Sequence, residues 1–147
     1  MKRPPHPVDD TGSILPLVCF YGALALLVTL IVASATSLYL ERKRLFTLAD
    51  GAALVGAESF ELDQVTNTPD GPRATLTDVG VRDAVSRYLA SNPIGRFEAL
   101  SLDEALTPDG RSAEVTVSAV WRPPVVTLFV PEGLRIDATA VSRTVFG

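Results

Sequence analysis

The sequence predicts an α+β chain: a long N-terminal transmembrane helix that continues outward, followed by a small antiparallel sheet with one short helix. Three observations predict it. From Ile14 to Leu40 there are 27 consecutive residues without a charge. Past the basic cluster that ends this run, small and apolar residues keep a helical period. After Phe60 the pattern changes to short alternating runs separated by Pro, Gly, Asn and Asp.

The elements follow in order. Residues 1–12 form a polar lead with prolines at Pro4, Pro5 and Pro7, which keep a helix from starting early. The helix is expected from Ser13, with Pro16 tolerated in its first turn. A hydrocarbon core about 30 Å thick needs roughly 20 apolar residues of helix, so the run is long enough to span with tilt. Gly22, Ala25, Thr29, Ala33 and Thr36 line one face of it, small enough to admit a neighbouring membrane helix. Glu41-Arg42-Lys43-Arg44 marks the exit, with side chains that reach head-groups. Residues 13–44 are thus the span and its basic exit.

A helical extension is expected over residues 45–60. Leu45, Leu48, Ala49, Ala52, Ala53 and Gly56 recur at spacings of three and four, a narrow stripe that permits very close packing. One helix from Ser13 to Ser59 would be about 70 Å long at 1.5 Å per residue. Residues 61–147 make the small α+β outer domain. Glu61–Val65 and Arg73–Leu76 read as a hairpin about a turn at Asn67–Pro72. Thr77 or Asp78 caps a short helix with Val81, Ala84, Val85, Tyr88 and Leu89 on one face, ending at Ser91-Asn92-Pro93. Phe97–Ala105 reads as a strand, and Asp109-Gly110 is a hairpin signal. Ala113–Trp121 alternates cleanly. Leu134–Val145 is the last strand, with Leu134, Ile136, Ala138 and Ala140 as inward positions. Between the last two strands, Val125–Val130 is a mostly apolar run fenced by prolines. It reads either as a buried crossover or as a segment lying on the membrane surface or on a partner.

Charge and composition exclude several functions. From Leu45 onward, 14 acidic residues face 8 arginines, a net of −6. Such a surface repels phosphates, so no nucleic-acid partner is expected. No metal and no cofactor are expected: His6 is the single histidine, in the Pro-rich lead, and Cys19 the single cysteine, inside the apolar run as a small filler. No phosphate loop or nucleophile elbow is present, and no His beyond residue 44 could serve as a base. Asp103 and Glu104 are adjacent, and in a regular strand they point to opposite faces. The chain is not expected to be an enzyme.

Two segments at and after the apolar run carry a family resemblance, to which Trp121-Arg122-Pro123-Pro124 to Phe129-Val130-Pro131 and the Thr/Ala/Ser-alternating last strand add. Asp10-Thr11-Gly12-Ser13-Ile14-Leu15-Pro16-Leu17 opens the helix, and Arg44-Leu45-Phe46-Thr47-Leu48-Ala49-Asp50-Gly51-Ala52-Ala53-Leu54-Val55-Gly56-Ala57 continues it. In order and spacing they resemble the TadE/TadG-like pseudopilins of Flp (Tad) pilus assembly systems. The resemblance implies a non-catalytic minor pseudopilin or accessory component in the bacterial inner membrane. Its partners would be the lipid bilayer and other pilus or secretion-system subunits, met through the membrane helix and its extension. It also implies Gly12-Ser13 as a processing junction. Processed members carry Glu at the fifth position after the glycine, where this chain has Leu17, so an uncleaved, TadG-like accessory is the expected form. The outer domain is expected to be extracytoplasmic on the strength of the family. Cation counts, with Lys2 and Arg3 before the span and Arg42, Lys43 and Arg44 after it, slightly favour the reverse. Two other functions fit the residues: a generic single-pass anchored binding module, and a secreted protein cleaved after Ala35 at the small-x-small site Ala33-Ser34-Ala35.

Overall fold

The computed structural model describes residues 14–60, 65–69, 71–91, 97–123 and 125–144. The polar lead, with Gly12 and Ser13, lies outside them, as do Asn92, Pro93 and most of the expected first strand.

A single helix, α1, runs Ile14–Ala57 without interruption. Its 44 residues make it about 66 Å long. No proline or glycine pair breaks it after Pro16. The hydroxyls of Thr29, Thr36 and Thr47 donate to the carbonyls of Ala25, Val32 and Lys43 at 2.9–3.0 Å, so these three side chains are satisfied within the helix.

Next come β1 (Val65–Thr68) and β2 (Gly71–Ala74), an antiparallel hairpin in register from Val65↔Ala74 to Thr68↔Gly71. The strands run closer to the tip than composition suggests. Cross-strand pairing claims Asn67, Thr68, Gly71 and Pro72, which by composition read as turn. α2 (Asp78–Ser91) starts where expected. The Thr77 hydroxyl accepts from the Gly80 amide at 3.2 Å, the usual way an N-cap satisfies a free helix donor. Asp78 Oδ1 accepts from the Thr107 amide at 2.8 Å and ties the start of α2 to the end of the next strand.

The main sheet is an antiparallel meander of β3 (Glu98–Leu106), β4 (Ser112–Trp121) and β5 (Leu134–Arg143), with β4 central. Ala113, Val115, Val117, Ala119 and Trp121 point to one face of β4, where Ala138 and Ala140 of β5 join them opposite Val117 and Val115. The extension of α1 lies on that face, and α2 packs beside it. The core is therefore a layer of small residues: Leu45, Ala49, Ala52, Ala53 and Ala57 from α1, Val81 and Val85 from α2, and the inward residues of β4 and β5.

One strand expectation is corrected. Asp103 and Glu104 do not face opposite ways, because β3 shifts register between Leu102 and Glu104. A bulge inserts one extra residue, so the period of two breaks there. Glu104 lies opposite Thr116, whose hydroxyl meets that of Thr139 at 2.9 Å on the outer face. Asp103 Oδ2 accepts from Arg135 Nη2 at 2.8 Å on the same face. Hydrogen bonds from Ser118 and then Arg135 hold the Asp103 carboxyl below its ordinary pKa.

Candidate membrane and assembly interface

The two halves of α1 have opposite surroundings. Along Ile14–Leu40 nearly every side chain is exposed, including Phe20, Tyr21, Leu26, Leu27, Ile31 and Val32. A run this apolar and this uncovered is expensive in water and natural in lipid. It is the one helix among the described residues long and apolar enough to cross a membrane. The small-residue face of Gly22, Ala25, Thr29, Ala33 and Thr36 is exposed throughout.

The second half is covered. Leu45, Leu48, Ala49, Ala52, Ala53 and Gly56 are all buried, and the chain's own sheet and α2 lie against this side of α1. Small residues are required there. A Cβ on Gly56 would sit 3.1 Å from Ala113 Cβ, 3.1 Å from Val81 Cγ1 and 3.3 Å from Val85 Cγ2. A Cβ on Gly51 would collide with the Tyr88 hydroxyl. The stripe thus fixes how deeply helix, sheet and α2 approach one another.

Between these halves is a junction that periodicity could not reveal. The Trp121 indole, at the end of β4, donates to Ser37 Oγ at 3.3 Å across 84 residues of sequence. Arg122 pairs with Glu98 and also donates from Nε to the Glu132 carbonyl at 3.2 Å. Pro123 and Val125 line a shallow hollow with Leu30, Ala33, Ser34 and Ser37. The sheet domain therefore touches α1 on the N-terminal side of the basic cluster, inside the uncharged run. The sequence signal for this was Trp121 itself, a large amphipathic ring at the end of a strand. Nothing local indicated Ser37. Arg42, Lys43 and Arg44 are exposed, with Arg44 3.9 Å from Glu41.

Among the described residues, no group of three or more His, Cys, Asp or Glu side chains is placed to hold a metal ion. Gly12 and Ser13, the expected processing junction, lie outside the described residues.

Residues 12–59 match the family model described as putative Flp pilus-assembly TadE/G-like. This chain carries a TadE/G-like segment. The match covers about a third of the 147 residues. It takes in the whole of α1, so the matched segment is both the apolar half and the stripe beneath the sheet. The residues from Phe60 onward lie beyond it. Comparison with curated proteins and with solved structures finds no match.

Proposed function

We propose that this chain is a membrane-anchored, non-catalytic subunit of a Tad-type pilus assembly system, a minor pseudopilin or accessory component with its outer domain on the extracytoplasmic side of the bacterial inner membrane. One observation carries the reading. The TadE/G-like match coincides with a continuous helix whose first half is uncovered and apolar and whose second half is locked under a domain. In this reading the work is mechanical. The span holds the subunit in the bilayer and offers its exposed face to other membrane helices. The Leu45–Gly56 stripe makes helix and domain one rigid lever. Leu17, lacking the carboxylate found at this position in processed family members, favours retention of the lead.

The experiment is in-cell photo-crosslinking with a reactive residue at Leu26, in cells expressing the whole pilus system. Adducts with other subunits of that system are expected. Crosslinks to lipid alone, in cells that assemble the apparatus, would overturn the assembly role. Protease added to intact spheroplasts should remove the outer domain; digestion only after lysis would reverse the orientation. Intact mass of the membrane-extracted protein should include the lead, and a form beginning at Ser13 would overturn retention.

A further inference from the structure

Arg122 to Gly133 forms a loop whose ends meet. The Glu132 carbonyl accepts from Arg122 Nε, and Gly133 adopts φ +77°. A Cβ on Gly133 would lie 2.5 Å from Arg122 Cγ and 2.8 Å from the Trp121 carbonyl oxygen, so the return strand starts in direct contact with the outgoing one. Residues 123–131 carry no charge. Leu128 and Phe129, at its far side, are 79% and 83% exposed.

Two features separate this loop from an ordinary exposed apolar tip. The first is its level along α1. The uncharged run is about 40 Å long, about 10 Å more than a hydrocarbon core requires. Counted from Ile14, beyond the charges of the lead, the core reaches to about Ala33. Ser37, which holds the buried Trp121 ring, and the exposed Tyr39 then fall at head-group depth, where Tyr concentrates. Pro123 and Val125 lie against Leu30, Ala33, Ser34 and Ser37, at the boundary of the acyl region. The second is its backbone. Lipid exacts a cost for every unsatisfied N–H. Pro123, Pro124 and Pro131 have none. The amide of Thr127 donates to the Pro123 carbonyl at 3.1 Å, and those of Phe129 and Val130 donate to the Val126 carbonyl at 3.0 and 2.7 Å. The Thr127 hydroxyl donates to the Pro123 carbonyl at 3.2 Å. Three amides of Val125–Val130 are therefore bonded within the loop, around the short helical turn Val126–Leu128.

We infer that the Val125–Val130 loop is a second membrane contact, docking Leu128 and Phe129 into the head-group and acyl boundary of the bilayer that α1 spans. This rests on the anchoring part of the proposed function. Two points of attachment, the helix and the loop, restrict rotation of the outer domain about the helix axis and hold it at a set tilt to the membrane. A short apolar segment buried a few ångströms into the interface is the expected depth for such a contact.

The test uses the full chain with Cys19→Ala, reconstituted in phosphatidylcholine vesicles, with one nitroxide at a time on Phe129→Cys, Leu26→Cys or Val141→Cys. All three native side chains are exposed, so the label displaces no packing. Collision with oxygen and with a water-soluble nickel chelate reads depth. The label at 129 is expected to follow the one at 26, losing most of its nickel collision rate relative to 141. If 129 behaves like 141 while 26 stays in lipid, the loop contact is wrong and the anchor stands. If 26 is itself open to nickel, anchoring falls and the loop contact with it. Protection at 129 with spin–spin broadening that vanishes on dilution with unlabelled chain would show that a second copy covers the loop, which also overturns the inference.

Discussion

Replacing Gly56 by Ala adds one methyl at the closest approach of three elements. The new Cβ would lie 3.1 Å from Ala113 Cβ, 3.1 Å from Val81 Cγ1 and 3.3 Å from Val85 Cγ2. Carbon pairs are most favourable at about 3.5–4.0 Å, so all three neighbours must recede by a few tenths of an ångström. They have little freedom to do so. Ala113 is on the central strand, and Val81 and Val85 are fully buried on α2, where β-branched side chains keep essentially one rotamer. Relief requires shifting α2 away from α1, against its ties to β3. Overpacking of this kind costs about 1–3 kcal/mol. Against it, Ala gains about 1 kcal/mol of helix propensity over Gly. The expected net is about 1 kcal/mol of destabilisation, or a Tm lowered by about 4–8 °C for a domain near 100 residues. Ala53→Leu, adding three carbons at another fully buried site on the same stripe, has no propensity gain to offset its cost and should lose more. The assay is urea unfolding of the detergent-solubilised chain, read by the fluorescence of Trp121, the sole tryptophan. A Gly56→Ala midpoint above the parent's would refute the reasoning, showing that α2 yields freely and that propensity decides.

Other outcomes follow from single contacts. Gly133→Ala, at φ +77° with no room for a Cβ, should destabilise the domain by about 1–3 kcal/mol; an unchanged urea midpoint would mean that the loop closure is soft. Ser37→Ala removes the acceptor of the Trp121 indole and should cost about 0.5–1.5 kcal/mol, with no effect expected only if water replaces the hydroxyl at no loss. Asp109 accepts from the amides of Arg111 and Ser112 at 2.9 and 2.6 Å, and these bonds, that to Arg111 foremost, hold its carboxyl below the ordinary value of 3.8. Its folded pKa is depressed, so its contribution is present above the unfolded value and lost as pH falls through the folded one. The urea midpoint should therefore drop as pH falls below about 4, and Asp109→Asn should flatten that drop. Equal acid slopes in parent and variant would rule out this linkage.

Elements whose signal is local are legible in the residues alone. Ile14–Leu40 is legible as a span because one missing property, charge, persists for 27 residues. The helix beyond it is legible because Leu45, Leu48, Ala49, Ala52, Ala53 and Gly56 keep the 3.6-residue period, and the structure buries all six. A cap at Thr77 or Asp78, which the structure resolves to Thr77, and the alternation of Ala113–Trp121 are likewise properties of neighbouring residues. Features that depend on partners distant in the chain emerge only in the fold. The bulge that brings Asp103 and Glu104 to one face exists because β3 must stay paired with β4, and no feature of β3 alone places the extra residue. The bond from Trp121 to Ser37, and the seat of Pro123 and Val125 against Leu30–Ser37, follow from where the sheet docks along α1. That position is set by the closest approach the small side chains allow, at Gly56 against Ala113, Val81 and Val85. It is a sum of contacts among three elements, which residue periodicity within any one of them does not encode.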